Sequence, residues 1–263
     1  MNVDHIAELL APFLRAELSH SEPAKAGQAG PGRSHKPTPS LPKQESAFLS
    51  SSQLESISIY IDILIRWNSR INLTAIRDPE DIVTRHFGES LFAARHLFPG
   101  FSSVSPVSSV LKDFDSTDDV RVADLGSGAG FPGLPIRIWS PNISLTLIES
   151  NHKKAAFLSE VLRSLTLTNV NIQNTRAESL TESSTAGAFD VVALRAVEYF
   201  TIILPTAGAL VAPAGRLALL IGAAQQDQAL STLPHFKWSP PAPIPKSRSR
   251  ILLLASRTRT DGE

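Results

Sequence analysis

Apolar residues recur at helical spacing in the first part of the chain and in short strand-like runs in the second. Ile6, Leu9, Leu10, Phe13, Leu14 and Leu18 fall at i, i+3 and i+4 intervals, so residues 4–18 predict an amphipathic helix that Pro12 kinks or divides. Residues 19–46 hold Ser, Pro, Gly, Lys and Ala with almost no apolar content and read as a linker or disordered insert. The helical period returns at Leu54, Ile57, Ile61, Leu64 and Ile65, ending near Trp67-Asn68. Asp78-Pro79-Glu80 predicts another helix start, with Asp78 as N-cap, proline at the first helical position and acids in the first turn. That helix carries Arg85, His86, Glu89 and Ser90 towards Leu97. Residues 100–119, rich in Ser and Asp, predict an exposed loop.

From residue 120 strands and helices alternate. Strands are expected at Val120–Asp124, Ile143–Ile148, Val170–Gln173, Phe189–Leu194, Arg216–Ile221 and Ile251–Ala255. Helices are expected at 133–139, at Lys153–Leu165 with Ala156, Phe157, Val161 and Leu165 on one face, and at Thr201–Val211 despite Pro205. Such βαβ alternation with short connections predicts a mostly parallel sheet covered on both faces. The expected organisation is a helix at 1–18, an insert at 19–46, a helical segment at 47–99, a loop at 100–119 and an α/β domain at 120–263.

The first of these strands runs into Asp124-Leu125-Gly126-Ser127-Gly128-Ala129-Gly130-Phe131-Pro132-Gly133. Glycines at 126, 128 and 130 let the backbone take positive φ and approach a ligand closely. The Gly-x-Gly-x-Gly spacing differs from the Gly-x-Gly-x-x-Gly of a pyrophosphate binder, and Asp124 would repel a diphosphate while suiting a cation. A sulfonium cofactor, S-adenosylmethionine (SAM), fits both facts better than NAD. Glu149, closing the second strand, is placed to accept hydrogen bonds from ribose hydroxyls. Arg176-Ala177-Glu178, after the third strand, stands where an adenine edge would lie.

Lys plus Arg and Asp plus Glu are balanced at 25 each in 263 residues, so a nucleic-acid partner needs a local basic surface. Lys246, Arg248 and Arg250 in the tail form one such cluster. The absence of cysteine excludes disulfides, thiolate metal sites and a cysteine nucleophile. No basic n-region precedes the first apolar residues and no uncharged run reaches membrane-span length, so a soluble, cytoplasmic protein is expected. The histidines show no ligand spacing around His86, and no metal is expected.

Trp67-Asn68-x-x-Ile71-Asn72-Leu73-Thr74, followed by Arg85-His86-Phe87-x-Glu89-Ser90-Leu91, resembles the signature of the bacterial small-subunit rRNA guanine-N7 methyltransferases, the RsmG or glucose-inhibited division protein B family. Phe131-Pro132-Gly133 after the glycines and Leu194-Arg195-Ala196 belong to the same pattern, and the resemblance spans residues 47–222. It implies a Rossmann-like SAM-dependent methyltransferase fold, with a seven-stranded, mostly parallel sheet and an N-terminal helical segment. The implied activity is SAM-dependent methylation of guanine N7 in 16S rRNA, at guanine 527. By resemblance Asp124, Gly126, Gly128, Gly130, Phe131, Glu149, Ser150, Asn151, Ala177, Glu178 and Arg195 hold the cofactor. Arg85, His86, Glu89 and Ser90 face the mouth of the site as catalytic candidates, with Glu89 offsetting charge on the methylated base. Arg176 and Arg250 stand where the family has RNA-contacting basic residues, Lys246 and Arg248 of the basic tail join them as RNA-binding candidates, and Trp67, Phe87 and Phe131 are candidates to stack an extruded base. The implied partner is 16S rRNA or the small ribosomal subunit, with no membrane, no metal and a monomeric state.

Two departures from the family pattern stand out. Glu89 replaces an aspartate, and Leu220-Ile221-Gly222 replaces Leu-Lys-Gly at the end of the fifth strand. Either Lys246, Arg248 and Arg250 compensate for the absent cation, or RNA affinity is lower than in relatives. Three other readings remain compatible with the residues alone: a SAM methyltransferase of small molecules, a non-catalytic RNA-binding protein retaining the fold, and, more distantly, an NAD-dependent oxidoreductase. The first leaves the Arg85-His86 helix and the basic tail without a purpose.

Overall fold

The computed structural model describes residues 1–15, 49–99, 120–181, 186–195 and 200–258. The expected insert at 19–46, the loop at 100–119 and the end of the first predicted helix lie outside the described residues. That helix, α1 (Val3–Leu14), is continuous, with Asn2 as N-cap. Pro12 does not divide it: only the carbonyl four residues back, that of solvent-exposed Glu8, forfeits a partner, so water can replace it.

Helix α2 (Ser51–Asn68) begins at a capping box in which the Ser50 hydroxyl accepts from the Gln53 N–H and the Gln53 side chain accepts from the Ser50 N–H. Asp78 caps α3 (Pro79–Asp81) through the N–H groups of Glu80 and Asp81. The expected single helix through Arg85 and Ser90 is not regular. Residues Ile82–Gly88 form a π-helical stretch before α4 (Glu89–Leu97) resumes. A π turn changes which residues share a face, and such turns recur at functional sites. Here it turns His86, Phe87 and Glu89 inward while Arg85 stays exposed.

The sheet contains β1 (Arg121–Leu125), β2 (Ser144–Ile148), β3 (Val170–Gln173), β4 (Phe189–Arg195) and β5 (Val211–Gly222), then β6 (Phe236–Trp238), β7 (Ala242–Pro243) and β8 (Arg250–Arg257). The spatial order is β3-β2-β1-β4-β5-β8-β6, with the two-residue β7 paired to β8. Strands β1 to β5 are parallel and β8 runs antiparallel to β5, β6 and β7. This is a Rossmann-like, doubly wound sheet of seven strands plus a short eighth. Its order reverses between β1 and β4, where open α/β sheets form their ligand crevice.

Side-chain alternation assigns the two faces. Val122, Leu145, Leu147, Val191 and Ala193 pack with α2, the π segment, α4, α5 (Gly133–Trp139) and α6 (His152–Ser164). Ala123, Leu125, Val192, Leu194, Leu217 and Leu219 pack beneath α7 (Glu178–Thr181), α8 (Phe200–Leu210) and α9 (Gln226–Thr232). Helix α6 buries Ala155, Phe157, Leu158 and Val161, so the expected place of Ala156 on that face passes to Ala155. Among the described residues no helix is long and apolar enough to cross a membrane.

The helical segment closes over the sheet through close contacts. A Cβ at Gly88 would lie 2.6–2.8 Å from the Phe13 ring of α1. Gly88→Ala is therefore expected to lower stability by about 1–3 kcal/mol through overpacking. The measurement is a reduced urea midpoint at unchanged slope, partly recovered when Phe13→Leu is added.

Candidate functional site

The crevice at the carboxyl ends of β1, β2 and β4 is built around the loop that follows β1. Gly126, Gly128 and Gly130 have φ of 68°, 56° and 84°, the left-handed backbone that glycine adopts without a Cβ penalty. At Gly130 space reinforces this, because a Cβ would sit 2.3 Å from the Tyr60 hydroxyl oxygen. That hydroxyl donates to the Ala129 carbonyl at 2.5 Å, tying α2 to the loop. Burial pushes the Tyr60 phenol well above its usual range, so it remains a donor. The sequence reading missed Tyr60; a tyrosine on an otherwise aliphatic helix face was the available signal.

Two acids underlie the loop. Glu149 accepts from the Gly128 N–H at 2.8 Å through one oxygen and from the Asn151 N–H at 2.7 Å through the other. Each carboxylate oxygen keeps a further lone pair for a hydroxyl. Asp124 is fully buried, and its Oδ2 accepts from the Gly133 N–H at 3.0 Å. Its Oδ1 is buried with no hydrogen-bond partner. Asp124 therefore anchors the start of α5 instead of lying open to a ligand as expected. Burial raises its carboxyl to about 7, against the lowering effect of the Gly133 N–H.

Other cofactor candidates divide by placement. Ser150 is exposed, and the Asn151 side chain caps α6 through the N–H groups of Lys153 and Lys154. Ala177 is buried near the crevice, whereas Arg176 and Glu178 are exposed. Phe131 lies between two rings: His86 stacks on it at 4.7 Å and Tyr60 at 5.4 Å, with Phe87 edge-on at 5.1 Å. Trp67 donates from Nε1 to Glu160 and meets Phe157 edge-on. Phe131 and Phe87 are buried and Trp67 is packed, so the expectation that they stack a base is corrected: all three serve packing.

The Arg85–Ser90 motif also needs correction. Only Arg85 is exposed; His86, Glu89 and Ser90 are buried, and the Ser90 hydroxyl donates to the His86 carbonyl at 2.6 Å. Glu89 Oε2 lies 3.1 Å from Arg195 Nη2 and 2.9 Å from Arg250 Nε. It is a structural counter-ion and does not face a substrate. Arg250 also donates to the Leu220 carbonyl at 3.0 Å, which removes it from the RNA-contact candidates. Lys246 and Arg248 are exposed on the turn leading into β8, while Ile221 is buried in the apolar cluster beneath α8. Of the three tail cations only these two are free to compensate for the missing lysine.

Arg195, at the end of β4, donates from Nη1 to His86 Nδ1 at 2.8 Å, from Nη2 to the Arg85 carbonyl at 2.5 Å and from Nε to Glu89 at 3.3 Å. Its guanidinium carbon lies 5.9 Å from the Phe131 ring centre. Burial lowers Arg195 to about 10, leaving it charged at neutral pH. Burial, followed by the charges of Arg195, Arg85 and Arg250, holds His86 at about 3. His86 is thus neutral, and its Nδ1 is occupied by a guanidinium. It is a packing and positioning group, not a general base. Among the described residues no cluster of His, Cys, Asp or Glu is arranged to hold a metal.

The residues present fit an adenosyl cofactor. Positive-φ glycines leave the loop backbone bare, and Glu149 beside them keeps carboxylate lone pairs for hydroxyl groups.

The family model for rRNA small subunit methyltransferase G matches residues 53–237. A ribosomal RNA small subunit methyltransferase G of Xylella fastidiosa (strain 9a5c) is 37% identical over 202 residues, covering 76% of this chain and 84% of its own length. The protein of that description from Xanthomonas axonopodis pv. citri (strain 306) is 36% identical over 175 residues, or 66% and 71% of the two chains. Among solved structures, a ribosomal protein L11 methylase from Lactobacillus delbrueckii subsp. bulgaricus superposes with a TM-score of 0.48 at 15% identity, over 66% of this chain and 79% of that one.

The Asp124 environment makes stability pH-dependent. A carboxyl raised to about 7 in the folded state binds its proton more tightly than in the unfolded chain, so its contribution is complete below about pH 4 and lost as pH rises through 7. Asp124→Asn should melt above the wild type at pH 8, by an amount on the order of a few kcal/mol, and match it near pH 4. Thermal denaturation of both proteins across this range measures the difference, in which the opposite contribution of His86 cancels.

Proposed function

This chain belongs to the rRNA small subunit methyltransferase G family, and on that premise we propose that it methylates N7 of guanine 527 in 16S rRNA, with SAM as methyl donor. The observation that carries the reading is the loop after β1, with Glu149 bonded beneath Gly128 and Asp124 buried behind it. In this reading the backbone of Gly126–Gly130 receives the amino-acid end of the cofactor, Glu149 the ribose hydroxyls and Ala177 the adenine. SAM supplies an electrophilic methyl on a sulfonium. Guanine N7 offers an in-plane lone pair and carries no proton, so no base is required, in keeping with a neutral His86 whose Nδ1 is occupied.

The chain's contribution is then placement and exclusion of water. Guanine N7 faces the deep major groove of A-form RNA, so the target base must be unpaired or extruded. With the aromatic candidates packed away, the exposed Arg85 guanidinium, whose carbonyl is fixed by Arg195, is a planar group among the described residues that can stack on it. Lys246 and Arg248, exposed on the turn before β8, would meet RNA phosphates together with Arg176. A cytoplasmic protein acting as a monomer accords with such a substrate.

The test supplies the purified protein with methyl-labelled SAM and 16S rRNA, naked and in small subunits. Label should enter the RNA, and borohydride–aniline cleavage should cut at guanine 527. Full N7 methylation at that position in a strain lacking this chain would overturn the assignment. Lys246→Ala with Arg248→Ala should weaken RNA binding and make the salt dependence shallower by about 0.7 for each phosphate no longer neutralised, with SAM affinity unchanged.

A further inference from the structure

The stretch from Asn68 to Thr74 carries part of the family signature, yet binding and methyl transfer as described give it no task. Its geometry does. Asn68 closes α2 as a buried residue whose Oδ1 accepts from the N–H groups of Leu73 at 2.9 Å and Thr74 at 3.1 Å. Its Nδ2 donates to the Thr74 carbonyl at 3.0 Å. One side-chain amide thus fixes Thr74 through both of its backbone polar groups.

From Thr74 the contacts lead to the mouth of the crevice. Thr74 Oγ1 lies 2.8 Å from His86 Nε2 and accepts from the Ile76 N–H at 3.1 Å. A guanidinium has donors only, so the His86 Nδ1 facing Arg195 Nη1 at 2.8 Å must present its lone pair. The ring proton of neutral His86 therefore resides on Nε2 and is donated to Thr74. The hydroxyl oxygen then has both acceptor sites filled, one by the backbone and one by the imidazole. The ring is further confined by its stack on Phe131, itself the continuation of the glycine loop.

We propose that Thr74 is a positioning residue: its hydroxyl, carried on a backbone fixed by Asn68, anchors His86 so that the Nδ1 lone pair holds Arg195 in place at the end of β4. The inference rests on the reading of this crevice as a methyl-transfer site. The Thr74 hydroxyl oxygen is engaged within the chain by His86 and the Ile76 N–H, and the bonds of Arg195 to Glu89 and the Arg85 carbonyl do not involve Thr74. Binding should therefore persist while the alignment needed at the moment of transfer is lost.

Thr74→Val preserves shape and removes the acceptor; Thr74→Ser preserves the acceptor. Wild type and Thr74→Ser should show a His86 Nε2–H proton protected from exchange, with long-range ¹⁵N correlations placing the lone pair on Nδ1. In Thr74→Val that protection should vanish, and kcat for rRNA methylation should fall about tenfold with KM for both substrates little changed, the size expected for one buried hydrogen bond. Retention of the protected proton and of the full rate in Thr74→Val would overturn the proposal. So would failure of Thr74→Ser to restore both in a protein of unchanged melting temperature. If the wild type methylates no rRNA, the functional reading fails separately, and the imidazole spectra still decide whether Thr74 anchors His86.

Discussion

Glu89 is a single carboxylate buried between two guanidiniums, and the seating of the helical segment on the sheet depends on that arrangement. Its Oε2 draws Arg195 from the end of β4 and Arg250 from the start of β8 onto one point of α4. Desolvating such charges costs several kcal/mol each, and removing one partner of a buried pair typically costs about 3–5 kcal/mol because the other is left stranded. The carbonyls of Arg85 and Leu220 take guanidinium protons that one carboxylate cannot satisfy alone. The excess positive charge has a chemical consequence next door: added to burial, it keeps His86 neutral.

The glycine loop is held from the other side by aromatic packing. Tyr60, Phe131 and His86 form a continuous stack, with Phe87 edge-on to both Tyr60 and Phe131. Such contacts contribute about 0.5–1.5 kcal/mol each beyond the apolar area they bury. The stack joins α2, the loop after β1 and the π segment. The glycine loop is thereby ordered by ring packing as well as by its own hydrogen bonds.

Much of this was legible along the chain because the signals were local. The alternation of strand and helix after residue 120, the Asp78-Pro79 helix start and the three glycines of the β1 loop each follow from short-range sterics or polarity, and each is present. The short elements after β5 were not legible. Gln226–Thr232 has no apolar stripe, and Phe236–Trp238 is a strand only because β8 lies beside it. The π turn left no trace either, since a shift from four- to five-residue hydrogen bonding does not alter the order of polar and apolar residues.

The residue types of the site were set by sequence alone: acids at the ends of β1 and β2, glycines between them, a basic turn before β8, and a helix bearing Arg85, His86 and Glu89. Which of those groups face a ligand was decided only by tertiary structure. A carboxylate or guanidinium looks the same in a sequence whether solvated or buried, and its role depends on partners brought from distant strands. Arg195 and Arg250 meeting at Glu89, the neutral His86 between Arg195 and Thr74, and the stack that hides Phe131 all arise from such long-range contacts.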